Sequence, residues 1–364
     1  MRKLLVLASF FSISYAQSSG CRSSRSETQD ITGGNYALQG TACAIHDPSI
    51  AIDQGRYYIF STDTGPQNNY NGNLLIRCVQ SDNVTMEVCG EIFHSLNDIP
   101  WYKQYAPTAT NIWAPDVSYW NGLWHIYYAI SEFGKENSVI GLVTRSTLDP
   151  STSEPWKDQG PIYETNGSQN FNAIDPSIIL DTDNQPWMVF GSFWNGIQLV
   201  QINSTTGLLN NNHTIYDIAN RETNPDPIEG SFLVYRKGYY YLFVSWDYCC
   251  RGANSNYEVR VGRSTQITGP YIDDTGKSML DGGGTYVIGG ANSAPPSSSA
   301  SLSAVGYGWA AGGGESILRE TVNDDIIQIV IHGYDGVSGD PWLNWFGLKW
   351  DSGSDNTWPR AVPL

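Results

Sequence analysis

Residues 45–62 read IHDPSIAIDQGRYYIFST, and the same phrase returns along the chain in altered letters. It recurs as WAPDVSYWNGLWHIYYAIS (113–131), IDPSIILDTDNQPWMVFGSF (174–193) and IEGSFLVYRKGYYYLFVSW (228–246), then more faintly as GESILRETVNDDIIQIVIHGYD (314–335). Each copy runs from an acid and a small residue into a short alternating strand. A Gly, Asn or Asp turn and a second, aromatic-rich strand follow. Asp47, Asp116, Asp175 and Glu229 succeed one another at spacings of 69, 59 and 54 residues. A four-stranded unit of roughly 40–50 residues with its loops fills such intervals, and units of that size repeated around an axis make a β-propeller. The pattern predicts an all-β, five-bladed β-propeller over residues 43–364, with little helix. Its innermost strands share one axis, so acids distant in sequence meet in one pocket.

The ends and the cysteines place the chain. Residues 1–16 (MRKLLVLASFFSISYA) have a basic start, an apolar run too short to span a bilayer and a small-x-small end, which reads as a secretory signal. The polar, Gly-rich residues 17–42 read as an N-terminal arm. Export favours bridges over metal or redox cysteines. Cys78 with Cys89 suits a stapled hairpin, and Cys21 with Cys43 forms the remaining pair. The adjacent Cys249 and Cys250 form either a vicinal bridge or parts of two others. Sequons at Asn83, Asn166, Asn203 and Asn212 predict glycosylated surface turns in a secreted monomer. The Ala/Ser/Pro-rich residues 290–305 predict a flexible loop within a stretch, 289–314, that interrupts the blade order.

A net charge of −16 excludes nucleic acid and anionic membranes as partners, and disfavours polyanions such as a pectin backbone. A neutral polysaccharide is compatible with that charge. Aromatics make up 13% of the residues, enough to supply both blade packing and flat platforms for the C–H faces of sugars.

Asp47 (IHDPS), Asp175 (AIDPS) and Glu229 (PIEGS) share one local frame. A single Asp-Pro-Ser is ordinarily a turn, its carboxylate bonding nearby backbone. Three copies directed at one axis repel each other, a cost that glycoside hydrolysis by paired carboxyls would explain. Asp116, in APDV, reads as a fourth acid at an equivalent place, which either touches substrate or, as the favoured reading, holds the strand entry and stays outside the catalytic set.

These segments, with GSFWNGIQL (191–199), SWDYCCRG (245–252) and PWLNWFGLKWDSG (341–353), resemble glycoside hydrolase family 43, the five-bladed arabinanases, arabinofuranosidases and xylosidases. Within it the chain is most similar to secreted fungal arabinan endo-1,5-α-L-arabinosidases. The resemblance implies inverting hydrolysis of α-1,5-linked arabinofuranosyl bonds in arabinan, a neutral plant cell-wall polysaccharide. Asp47 would be the general base, Glu229 the general acid, and Asp175 would raise the pKa of Glu229 and orient it. Trp113, Asn172, Ser192 and Trp194 would line the cleft. His332 matches a histidine with which the family often holds calcium or another ion on the axis; no organic cofactor is implied. An exo-arabinofuranosidase or β-xylosidase of the same fold is the nearest alternative reading. A glycan-binding propeller without activity is the next, and retention of all three acids weighs against it.

Overall fold

The structure, a computed structural model, describes residues 45–64, 72–80, 85–293, 309–319, 326–350 and 358–362. Residues 1–44, where the secretory leader, the arm and the Cys21–Cys43 pair are expected, lie outside these, as do Asn83 and residues 294–308. Twenty strands form five four-stranded antiparallel sheets. The first sheet comprises β1 (Ser49–Asp53), β2 (Arg56–Phe60), β3 (Leu74–Val79) and β4 (Met86–Phe93). The second holds β5 (Ile112–Trp120), β6 (Leu123–Ser131), β7 (Asn137–Arg145) and β8 (Lys157–Asn166). The third holds β9 (Ser177–Leu180), β10 (Pro186–Phe190), β11 (Ile197–Gln201) and β12 (Ile215–Ala219). The fourth holds β13 (Ile228–Arg236), β14 (Tyr239–Trp246), β15 (Glu258–Ser264) and β16 (Thr285–Gly289). The fifth holds β17 (Trp309–Ile317), β18 (Ile326–Asp335), β19 (Pro341–Trp350) and β20 (Pro359–Val362). Strands β1, β5, β9, β13 and β17 touch in sequence and β17 returns to β1, which closes a five-bladed propeller.

The hairpin turns fall where their residues demand. Asn121-Gly122 and Lys237-Gly238 both take left-handed backbone and join their strands in two residues. Alternation then gives each blade two apolar faces, and among the described residues one large buried cluster fills each space between neighbouring blades, with a small sixth cluster of Tyr257, Ala310, Ala311 and Tyr334 between the fourth and fifth. The space between the last and first blades is closed by Ile45, Ile50, Ile59 and Met86 against Leu318, Val330 and Trp345. Each blade is contiguous in sequence, so side-chain packing, not a shared sheet, latches the ring.

Two expectations need correction or completion. The stretch 289–314 is not irregular throughout, because Trp309–Gly314 belongs to β17, whose side chains are buried along its whole length. Its small residues are required there: a Cβ on Gly313 would stand 2.4 Å from the Tyr257 ring, and one on Gly314 2.6 Å from Asp47 Oδ1. Cys249 and Cys250 pair with each other, and Cys78 with Cys89 ties β3 to β4.

Candidate active site

One backbone feature marks the axial end of every inner strand. Asp47, Ala114, Asp175, Gly230 and Gly314 all have left-handed backbone, with φ of 49°, 38°, 55°, 58° and 61°. Asp and Gly tolerate this region, which helps explain why those types recur. On this frame the acids fall out of step. Asp47 and Asp175 occupy the left-handed position, Glu229 lies one residue before it, Glu315 one after and Asp116 two after. The ladders of β5, β13 and β17 skip Ala114–Pro115, Gly230–Ser231 and Gly314–Glu315 as bulges, and this re-aims the neighbouring side chains.

Asp116 is therefore not equivalent to the other acids. It stands where the first and fifth blades carry Ser49 and Ser316. Each of these three side chains accepts an N–H from the next inner strand: Ser49 from Val117 at 3.0 Å, Asp116 from Ile178 at 3.0 Å and Ser316 from Ile50 at 3.3 Å. Inner strands have no sheet partner on that side, so these bonds satisfy otherwise orphaned donors. Asp116 is a structural residue, in line with the role given to it above, and its charge is met by Arg319. Three residues from each inner strand, from Asp47–Ser49 round to Gly314–Ser316, line a narrow axial cavity of about 40 Å³.

At the mouth of that cavity Asp47 is 22% exposed at its side chain. Its Oδ2 accepts bonds from His46 Nδ1 at 2.7 Å and Thr62 Oγ1 at 2.6 Å, while its backbone N–H donates to His332 Nδ1 at 3.1 Å. Burial opposes ionisation, but the charge and hydrogen bond of His46, with the hydrogen bond from Thr62, hold the carboxyl well below the usual carboxylate range. Burial likewise opposes the charge on His46, but Asp47 outweighs it and raises the imidazole above its ordinary value. His46 Nε2 donates to Tyr334 Oη at 2.5 Å, so both ring nitrogens are committed. The imidazole of His332 stacks on that of His46 at 3.8 Å between centroids and stays neutral, through burial and then the neighbouring positive charge.

Glu229 meets the opposite conditions. It is 9% exposed, and burial, with the Asp47 charge adding to it, pushes its carboxyl up against the pull of hydrogen bonds from Ser192 and Tyr257. Ser192 Oγ donates to Glu229 Oε2 at 2.7 Å. Asp175 Oδ2 accepts the Gly230 N–H at 3.1 Å, which anchors the third acid to the residue beside Glu229. Burial first, and then the charges of Glu229 and Asp47, push Asp175 well above its ordinary value. The Asp175–Glu229 pair therefore retains a proton where an ordinary carboxyl has lost it. One carboxylate is kept charged, and beside it lies a carboxyl pair kept partly protonated. That is the division of labour a hydrolase of glycosidic bonds needs.

Residues 41–292 match the family model described as glycosyl hydrolases family 43. The chain belongs to glycosyl hydrolase family 43. It is 37% identical over 317 residues to the extracellular endo-α-(1→5)-L-arabinanase 1 of Bacillus subtilis, covering 86% of this chain and 87% of that one. It is 36% identical over 265 residues to a probable arabinan endo-1,5-α-L-arabinosidase A of Aspergillus clavatus, covering 70% and 77%. The structure superposes on the Cellvibrio cellulosa α-L-arabinanase complexed with arabinohexaose with a TM-score of 0.75, at 31% identity over 87% of this chain and 95% of the other.

In this family 43 chain the residues expected to line the cleft divide by exposure. Trp194 is 42% exposed on the loop after β10, and the half-buried Trp113 meets the 80% exposed Phe133 edge-on at 6.3 Å. Ser192 is given to Glu229, and Asn172 is buried, its Oδ1 accepting from Ser138 Oγ at 2.7 Å. Both act on neighbouring side chains. Sequence reading passed over His46, Thr62, Ser245, Tyr257, Glu315 and Tyr334. His46, beside Asp47 in IHDPS, and Glu315, the acid that opens the fifth repeat in GES, carried a visible signal; the others lie in ordinary strand or turn text.

The coupling of the pair predicts a pH effect. Replacing Asp175 with Asn removes the charge that an ionising Glu229 would meet, so Glu229 gives up its proton at lower pH. The alkaline limb of the kcat/KM profile, which reports the acid that must stay protonated, then moves towards acid. Profiles of parent and Asp175→Asn on arabinan check this; an unmoved alkaline limb removes Asp175 from the electrostatics of the site.

Proposed function

We propose that the protein is an extracellular endo-arabinanase that hydrolyses α-1,5-linked L-arabinofuranosyl bonds with inversion. The observation that carries this reading is the contrast between Asp47, whose carboxyl His46 and Thr62 hold well below the usual range by hydrogen bonds at 2.7 and 2.6 Å, and Glu229, whose buried carboxyl is pushed up. Asp47 takes a proton from water as the water oxygen attacks the anomeric carbon. The glycosidic C–O bond breaks, and its oxygen takes the proton of Glu229. Asp175 fixes the Gly230 amide and shares the proton economy of Glu229. Trp194, Trp113 and Phe133 offer apolar rings to the C–H faces of the furanose chain. The charge of −16 suits a neutral polymer, and the naming of the Bacillus relative as extracellular agrees with the leader at residues 1–16.

An ion on the propeller axis is part of the same proposal. His332 is fully buried and its Nε2 has no protein partner, which suits a ligand nitrogen. Because Nδ1 receives the Asp47 N–H, an ion at Nε2 requires the ring proton to move to Nδ1, facing Asp47 Oδ1 at 3.5 Å. Water oxygens would complete the shell that calcium prefers, and the ion would brace the floor beneath the base. Elemental analysis of the purified protein decides this.

Incubation with linear arabinan and with xylan, followed by sizing of products and detection of the released anomer, tests the function. A ladder of arabino-oligosaccharides with inverted configuration is expected, and no release from xylan. Monomer alone would convert the reading to exo action, retained configuration would overturn the mechanism, and inert arabinan would overturn both.

A further inference from the structure

Cys249 and Cys250, just after β14, close a disulfide with each other and lie against the histidine that holds Asp47. Their two sulfurs and a ring nitrogen of His46 all fall within 4.8 Å of one another. Cys250 Sγ is 3.7 Å from His46 Nε2, and the Cys250 N–H donates to Tyr334 Oη at 2.8 Å. The same oxygen takes the Nε2–H of His46 at 2.5 Å, and its own proton is given weakly to Cys250 Sγ at 3.9 Å. A phenol oxygen has two lone pairs and one proton to offer, so these contacts fill Tyr334. His46 Nδ1 donates in turn to Asp47 Oδ2 at 2.7 Å, which completes an unbroken line from the Cys250 amide to the base.

We infer that the Cys249–Cys250 disulfide positions the general base, by aiming the Cys250 amide at Tyr334 and so fixing His46 against Asp47. The inference rests on the reading of Asp47 as that base. The line carries position only, and no proton moves along it.

Two bridged neighbours form a small ring that contains the peptide bond between them. Closing that ring removes the rotation that would otherwise let the Cys250 amide turn away. Cys250 has left-handed backbone, φ 65°, which a residue with a side chain keeps only where its surroundings hold it. Hydrogen bonds secure the base of the loop. The Tyr248 N–H donates to Asn256 Oδ1 at 3.2 Å, the Asn256 N–H to the Tyr248 carbonyl at 3.1 Å, and the Arg251 N–H to Ser255 Oγ at 3.1 Å. Cys249 packs on the buried cluster of Tyr257, Ala310, Ala311 and Tyr334, whereas Cys250 is exposed. One half of the bridge is thus anchored between the fourth and fifth blades, and the other faces solvent beside His46. His46 needs such a stop, because stacking on His332 at 3.8 Å fixes the plane of its ring but leaves the ring free to slide within it. Cys249, Cys250 and Tyr334 are therefore positioning residues that reach the substrate only through His46 and Asp47.

The test opens the ring without crowding the loop. On linear arabinan, C249S/C250S should lose about tenfold in kcat with KM nearly unchanged, as expected when a reacting group is slightly misplaced. The loss should be equally large on an arabinoside with a nitrophenolate leaving group, because attack by water needs the base whatever group departs. Y334F should lose as much, and the triple variant no more than the larger of the two, since all act along one line. If the serine variant fails to fold, a dithiol applied to the folded parent carries the same expectation. The dithiol is oxidised to its own disulfide as the Cys249–Cys250 bond takes up two electrons and two protons. Activity should then fall in step with alkylation of Cys249 and Cys250, not of Cys78 and Cys89, and return on reoxidation. A kcat equal to the parent's with the ring open overturns the inference. So do losses that add to those of Y334F, or a rise in KM alone, which would mark a contact with the sugar. D47N assayed alongside keeps the two readings apart. If it retains the parent rate, the base assignment falls; an inactive D47N beside a fully active serine variant refutes the positioning role only.

Discussion

Glu229→Gln is expected to lower kcat on linear arabinan by about 10²–10⁴-fold, the usual contribution of a positioned general acid, with KM nearly unchanged. The substitution keeps the side-chain volume. An amide oxygen can still accept from Ser192 Oγ, which sits 2.7 Å from Glu229 Oε2, so the loop after β10 keeps its anchor. What disappears is the proton. In the parent, burial raises the carboxyl and the nearby Asp47 charge adds to it, so that the proton is kept to higher pH than an ordinary glutamic acid keeps it. An arabinoside whose leaving group is a nitrophenolate needs little protonation, so the loss should shrink there by at least an order of magnitude if acid catalysis is what was removed. An equal loss on both substrates would instead mean that Glu229 shapes the cleft. Full activity on arabinan would remove it from the chemistry altogether.

The strands were legible because each blade repeats a local argument: alternating β-branched and aromatic residues, broken by Asn121-Gly122, Lys237-Gly238 or the Asp181–Gln185 turn. Asp47 and Asp175 were legible for a related reason, since Asp-Pro-Ser combines a residue tolerant of left-handed backbone with an abrupt strand start. Glu229 was found by the same pattern, but its placement rests on something the letters do not carry. The bulge at Gly230–Ser231 moves the left-handed position one residue on, and the longer side chain reaches back from the residue before it. That shift also made Asp116 look like a fourth member of the set, when its true counterparts are Ser49 and Ser316. The run WAAGGG looked like the end of a loop because glycine is poor strand material. It is strand here because Tyr257, Asp47 and His332 crowd the axis so closely that side chains have no room. Hydrogen-bond lines and bulge registers depend on which atoms face each other across blades. Neither periodicity nor motif encodes that.

The largest stability loss is expected at Arg319, on the other side of the axial cavity's lining. Its Nη2 lies 2.9 Å from Asp116 Oδ1 and 2.6 Å from the Ile178 carbonyl, Nη1 donates to the Val117 carbonyl at 2.7 Å, and Nε donates to Ile178 at 3.0 Å. The guanidinium also lies 4.5 Å from the centre of the Phe232 ring, so one side chain joins the second, third, fourth and fifth blades. Arg319→Met keeps the stem but leaves the buried Asp116 without its counter-charge and two carbonyls without donors. Breaking a buried pair from one side costs about 3–5 kcal/mol, which denaturant or thermal unfolding would register as a large drop in midpoint. Burial already raises Asp116 above its ordinary value, and Arg319 is the main influence opposing it. Without the arginine the folded-state value rises further while the unfolded one stays put. The deficit should then be small at a pH below the unfolded value, where Asp116 is protonated in both states, and should grow as the pH rises towards the new folded value. Arg319→Met/Asp116→Ser should recover much of the loss, because a serine at this position accepts the next strand's N–H without charge, as Ser49 and Ser316 do. If the double variant is no more stable than the single, the tether to the Val117 and Ile178 carbonyls, and not the ion pair, holds the ring together.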